Sequence, residues 1–217
     1  YSLASTTWDE KEFAAMQDVI ASGIFTMGKK VKQLEKEFAD YFNSKYSIML
    51  NSGSSANLIA VAALFYRQNN PLKKGDEVIV PAVSWSTTYM PLQQYGLKCV
   101  FVDIDPDTLN FDIEKLKEAV SDKTRMIFAV NLLGNPNEFN SIRKIINDRD
   151  IILLEDNCES MGALYDDKYA GTFGLMGTFS SFFSHHISTM EGGFVTTDDE
   201  ELYHIMLSLR SHGWTRH

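Results

Sequence analysis

Short apolar runs alternate with amphipathic stretches along all 217 residues. That alternation restricts the chain to a mostly parallel sheet covered by helices. A strand predicted over Tyr46 to Leu50 runs into Asn51-Ser52-Gly53-Ser54-Ser55, from which a helix continues to about Gln68. Further strands are predicted at Glu77–Val80, Cys99–Val102, Met126–Val130, Ile151–Leu154 and Phe194–Thr197. Apolar residues at helical spacing mark Trp8 to Ser22 (Phe13, Met16, Ile20), with Gly23 as the stop, and Lys29 to Phe42 (Val31, Leu34, Phe38, Phe42). Asp112–Val120, with Asp112 as N-cap, and Ser141–Asn147 also read as helices, and Gly75-Asp76 and Asp105-Pro106-Asp107 as turns. No repeat or linker interrupts the pattern, so one large α/β domain is expected.

The net charge of -9 argues against nucleic acid as a partner, because phosphate binding requires a basic face. No apolar run is long enough to cross a bilayer and no N-terminal signal pattern is present, so no membrane partner is expected. Cys99 and Cys158 form neither a disulfide framework nor a zinc pattern, which makes a reducing cytoplasm the expected location. Tyr1 is no initiator residue and LRSHGWTRH stops at what reads as a helix-to-loop passage. The expectation is therefore a fragment, with a C-terminal part beyond it.

Three strings carry candidate chemistry. In strand–NSGSSAN–helix, Gly53 permits close backbone approach, and the amides of Ser54 and Ser55 open a helix whose dipole favours a phosphate. The same string also reads as a well-capped helix. In IILLEDNCES an apolar strand ends in Glu155-Asp156 at the sheet edge where ligands of open α/β folds sit. Asp156 there pairs with a protonated heterocyclic nitrogen or merely orders a loop. Trp85 follows a strand end and either stacks on a flat ring or joins the core. His185 and His186 are adjacent and lack partners at ligand spacing, so no metal site is expected.

Taken in order, GIFTMGKKVKQLEKEFADYF, NSGSSAN, KKGDEVIVPAVSW, VFVDIDPDTLNFD, NLLGNP, EDNCES and FSSFFSHHISTMEGGFVTTDD resemble the DegT/DnrJ/EryC1/StrS family of sugar aminotransferases. The resemblance covers nearly the whole chain. It implies the large domain of the aspartate aminotransferase-like (type I) fold, with residues 1–25 as an N-terminal arm against a smaller C-terminal domain. It also implies a homodimer and pyridoxal 5′-phosphate, alternating with pyridoxamine 5′-phosphate, as cofactor. Gly53, Ser54 and Ser180 would hold the phosphate, Asp156 would pair with the pyridine nitrogen, and Trp85 would lie on a ring face. Cys158 would pack beneath the ring. Glu159, where aminotransferases of the family carry glutamine, would lie near the phenolic oxygen.

One departure decides the chemistry. Registering on Phe179-Ser180 and on Glu191-Gly192-Gly193 places His185 where the family's cofactor-binding lysine stands, and no lysine follows Lys168. Imidazole cannot tether the cofactor covalently but carries protons near neutral pH. Within the family this resembles the branch that removes the 3-hydroxyl from a nucleotide-linked 4-keto-6-deoxyhexose, with L-glutamate as amino donor and His185 as catalytic base. An aminotransferase of the same fold is disfavoured by the missing lysine. A cofactor-binding protein without turnover is disfavoured by the retained Asp156 and Trp85. Ser184 and His212 are weaker candidates for the site.

Overall fold

The computed structural model describes residue 2 and residues 4–215. Tyr1 and the last two residues of LRSHGWTRH, on which the expectation of a fragment partly rests, lie outside them. The chain runs α1 (Glu10–Ser22), α2 (Lys29–Phe42), β1 (Tyr46–Leu50), α3 (Gly53–Tyr66), β2 (Glu77–Pro81), α4 (Ser86–Gln94), β3 (Lys98–Val102), α5 (Ile113–Ala119) and β4 (Thr124–Val130). It continues through α6 (Phe139–Ile146), β5 (Ile152–Asp156), a short hairpin of β6 (Leu164–Tyr165) and β7 (Lys168–Tyr169), β8 (Met176–Ser180), β9 (Gly193–Thr197) and α7 (Glu200–Arg210).

Seven strands form one sheet in the order β1-β9-β8-β5-β4-β2-β3. Strands β8, β5, β4, β2 and β3 pair in parallel, while β9 is antiparallel to both β1 and β8. Both faces are covered, which explains continuous apolar runs in place of alternation. Along β4, Met126 and Phe128 enter the core beneath α3, α4 and α7, while Ile127 and Ala129 enter the core beneath α5 and α6. A third cluster fastens α2 to the sheet, with Phe38 stacked on Phe194 at 4.1 Å and Phe42 4.6 Å from Phe179. Each such buried side chain contributes about 1.5–3 kcal/mol.

Register brings the chemistry to one edge. Leu50 and Ser180 both pair with Gly193, Asp156 pairs with Thr178, and Val130 pairs with Asp156. The carboxyl ends of β1, β8, β5 and β4 therefore share one rim, the place where open α/β sheets bind ligands. At Gly193 a Cβ would stand 2.3 Å from the Ser52 carbonyl, so only glycine lets β9 start beneath the Ser52–Gly53 turn.

The predicted strands and α1, α2, α3, α5 and α6 are present, with ends coincident or shifted by one or two residues. β5 continues to Asp156 because Glu155 and Asp156 remain in the ladder with β4. α4, β8, the β6–β7 hairpin and the extent of α7 were not predicted. Pro91 inside α4 and the small residues of Met176–Ser180 hide their periodicity.

Candidate active site

The rim of the sheet encloses a cavity of about 410 Å³. Every residue singled out from the sequence as catalytic or cofactor-binding lines it: Gly53, Ser54, Trp85, Asp156, Glu159, Ser180 and His185. Cys158 and Ser184 line it as well, but His186 and His212 do not. The sequence reading missed Ser84, Thr87 and Glu191, which also face it.

One side is an anion cradle. Ser52 caps α3, its hydroxyl accepting from Ser55 N at 3.1 Å. The N–H groups that open the helix have no intrahelical acceptor and lie at the positive end of its dipole. Gly53 lets that end close on β8: a Cβ there would stand 2.6 Å from Ser180 Cβ and 2.7 Å from Cys158 Sγ. Burial first, then Asp156, pushes the Cys158 thiol well up, so it packs and is no nucleophile at neutral pH.

The floor is Asp156, 4% exposed at the end of β5. Its Oδ2 accepts from Asn57 Nδ2 at 2.8 Å and Thr88 Oγ1 at 2.7 Å, and its Oδ1 accepts from Cys158 N at 3.2 Å. Behind it Glu155, fully buried, accepts from the backbone N–H groups of Gly171, Phe173 and Gly174 at 2.6, 2.6 and 2.5 Å. Burial raises the Glu155 pKa, and those bonds oppose the rise. Trp85 is 70% exposed just before α4. It is therefore no core residue, and its indole face is free for a planar ligand.

His185 sits in a loop closed at its base by Ser181 N donating to Gly192 O at 2.9 Å and Thr189 N donating to Ser181 O at 2.9 Å. The hydroxyls of Ser181 and Thr189 meet at 2.6 Å. Burial lowers the imidazole pKa, Glu159 pulls it back up, His186 lowers it and Asp156 raises it. The net fall leaves His185 neutral near pH 7, competent as a base. Glu159 is steadied by Leu133 N, which donates to its Oε2 at 3.2 Å. No lysine is among the described residues lining the cavity.

No group of three His, Cys, Asp or Glu among the described residues is placed to hold a metal ion. A separate cavity of about 480 Å³, near Met27, Leu58 and Tyr95, has Arg210 as its only charged lining residue. That guanidinium is engaged with Glu35 and the Met49 carbonyl, so the cavity offers no acid or base.

An anion cradle, a buried carboxylate, an exposed indole and a half-buried imidazole together suit a planar phosphorylated ligand and proton transfer beside it. On this fold they define a member of the aminotransferase-like α/β enzymes. The DegT/DnrJ/EryC1/StrS aminotransferase family matches residues 6–217, and the chain belongs to it. It is 67% identical, over 216 residues, to GDP-4-keto-6-deoxy-D-mannose 3-dehydratase of Yersinia pseudotuberculosis, covering 100% of this chain and 55% of that protein. The chain thus spans about half the length of this relative. Two crystal structures of GDP-4-keto-6-deoxymannose-3-dehydratase superpose with a TM-score of 0.98 at 67% identity, covering 100% of this chain and 56% of theirs. One is a histidine-to-asparagine mutant with bound GDP-perosamine; the other holds a trapped PLP–glutamate geminal diamine.

Proposed function

We propose that the protein of which this chain is part is a pyridoxal phosphate-dependent 3-dehydratase of a nucleotide-linked 4-keto-6-deoxyhexose, GDP-4-keto-6-deoxy-D-mannose, with L-glutamate as amino donor. The observation that carries this reading is His185 in a cavity with Asp156 and without lysine. The residues fit the cofactor. The absent Cβ of Gly53 lets the start of α3 close on Ser180, and the hydroxyls of Ser54 and Ser180, both lining the cavity, are of a kind that holds a phosphate. With the cofactor bound, Asp156 would accept the ring N–H, Trp85 would cover a ring face, and Glu159 would stand near the phenolic oxygen.

When bound, the cofactor supplies an electron sink, its protonated ring taking up the pair released when an adjacent C–H bond breaks. Asp156 keeps that ring protonated. His185 moves the proton: the neutral imidazole takes one from the carbon beside the ring, and the imidazolium gives one to the departing 3-hydroxyl oxygen. Glutamate supplies the two reducing equivalents. In sum, hydroxysugar and glutamate give deoxysugar, 2-oxoglutarate and ammonia. A lysine amine would recapture the cofactor as an imine and return the proton to carbon, which yields an amino sugar; imidazole forms no such imine.

A homodimer, a cytoplasmic setting in keeping with the free thiols of Cys99 and Cys158, and a smaller C-terminal domain belong to the same proposal. Residues 1–25 are then an arm against that domain; α1 buries none of its own side chains here. The test is spectroscopic and chemical. Glutamate should convert protein-bound pyridoxal phosphate to the pyridoxamine form, and borohydride should leave no cofactor bonded to the chain. Addition of the GDP-sugar should release ammonia. Covalent labelling by borohydride would instead make the protein an aminotransferase.

A further inference from the structure

We propose that Asn57 and Thr88, supported by Thr178 and Ser84, are positioning residues that leave Oδ1 of Asp156 as the single oxygen able to receive the cofactor's ring N–H. This inference rests on the pyridoxal phosphate reading above.

The argument is one of hydrogen-bond direction. Thr178 Oγ1 lies 2.6 Å from Asn57 Oδ1 and 3.2 Å from the Glu155 carbonyl. The Asp156 carboxylate can only accept, so the amide turns its Nδ2 toward Asp156 and its Oδ1 toward Thr178, whose one proton, given over the shorter contact, holds it there. Asn57 Nδ2 therefore faces Asp156 Oδ2 at 2.8 Å, with the Thr87 carbonyl at 3.4 Å on its other hydrogen. Flipping the amide would set an oxygen against the carboxylate. On the second arm, Thr88 Oγ1 stands 2.7 Å from Asp156 Oδ2 and 2.8 Å from Ser84 Oγ. The carboxylate can only accept, so Thr88 gives it its one proton and receives one from Ser84.

Asn57, Thr88 and Thr178 are all fully buried, so no solvent competes for these directions. Oδ2 is thereby saturated by two short charge-assisted bonds that fix the carboxylate plane. Oδ1 receives the longer Cys158 N–H, at 3.2 Å, with the Cys158 thiol beside the carboxylate, and has a lone pair to spare; Asp156 itself lines the cavity. Three residues far apart in the chain thus aim one oxygen.

The experiment compares two ligands by equilibrium dialysis: pyridoxal phosphate and its 1-deaza analogue, in which the ring nitrogen is replaced by C–H. Unsubstituted protein should prefer pyridoxal phosphate by about tenfold or more, the worth of one charge-assisted bond. Thr88→Val should cut that preference by about fivefold or more while the analogue's Kd stays within about twofold. Thr88→Ser should restore it. Thr178→Val, which frees the Asn57 amide, should act like Thr88→Val. Both valine changes are isosteric, melting curves report whether each variant folds, and either folded variant decides the matter. A preference unchanged in the valine variants, or both ligands weakened equally, overturns the positioning role alone. Failure of the unsubstituted protein to bind either ligand overturns the cofactor reading and this inference with it.

Discussion

Gly53 faces Ser180 so closely that a methyl group on Gly53 would stand 2.6 Å from Ser180 Cβ. Gly53 is the first residue of α3, a position whose backbone alanine adopts readily, so space alone excludes a side chain. Gly53→Ala should push α3 away from β8, at about 1–3 kcal/mol of overpacking, and open the phosphate cradle. The expected result is loss of pyridoxal phosphate binding with a modest fall in Tm. A variant that binds the cofactor as tightly as the parent would remove the cradle from the site.

Glu155 and Asp156 are neighbours in one strand with opposite duties. Asp156 faces the cavity, whereas Glu155 turns back to accept three backbone N–H groups from residues 171–174. Oε1 serves Phe173 and Gly174, while Oε2 serves Gly171 and Asn131. In Glu155→Gln, whichever way the amide turns, its NH2 meets at least one N–H donor. The expected loss is about 2–4 kcal/mol, or roughly 5–15 °C in Tm. A melting curve that moves by less than about 2 °C would deny Glu155 this stapling role.

The His185 pKa offers a direct reading of the site's electrostatics. Burial lowers it, and Glu159 is the largest influence raising it. Glu159→Gln removes that attraction, so His185 should titrate at a still lower pH. Ring-proton NMR of the cofactor-free protein measures this without any turnover. In the active enzyme the base must be neutral, so the rate should fall on the acid side, below the unperturbed value of about 6.5. Glu159→Gln should carry that acid limb to lower pH. A limb that stays put, or rises, would show that another group governs it.

The sequence made parts of this site legible for physical reasons. An apolar run ending in two acids reads as a buried strand whose last residues reach the rim, which placed Glu155 and Asp156 there; the family resemblance then singled out Asp156. The glycine within NSGSSAN was read as a close approach of backbone to ligand, and in the fold it is where the start of α3 closes on Ser180 and Cys158. His185 was located by registering both flanks of its segment against a family pattern, not by any property of an isolated histidine. The second layer was illegible because it is assembled by topology: Asn57 lies 99 residues from Asp156 in the chain and Thr88 lies 68. Asn57 did leave a signal, a single amide in the otherwise apolar stretch ANLIAVAALF of a largely buried helix. A buried amide there requires partners, and they stand on β8 and β5. Thr88 left none, since Pro91 concealed the helix that carries it.

Replacing His185 itself separates proton transfer from cofactor binding. The imidazole contributes nothing to the phosphate cradle or to Asp156, which are built from α3, β8 and β5. His185→Asn should therefore hold pyridoxal phosphate as the parent does, yet lose dehydration by about 10²–10⁴-fold, the usual worth of a general base. His185→Lys places an amine at the same point, and borohydride should then fix the cofactor to the chain, a gain detectable by mass. Because the parent has no lysine among the described lining residues, that label should be absent before substitution. Dehydration that survives His185→Asn would assign the proton to a different group. A His185→Lys protein that cannot be labelled would place residue 185 out of reach of the cofactor's carbonyl carbon.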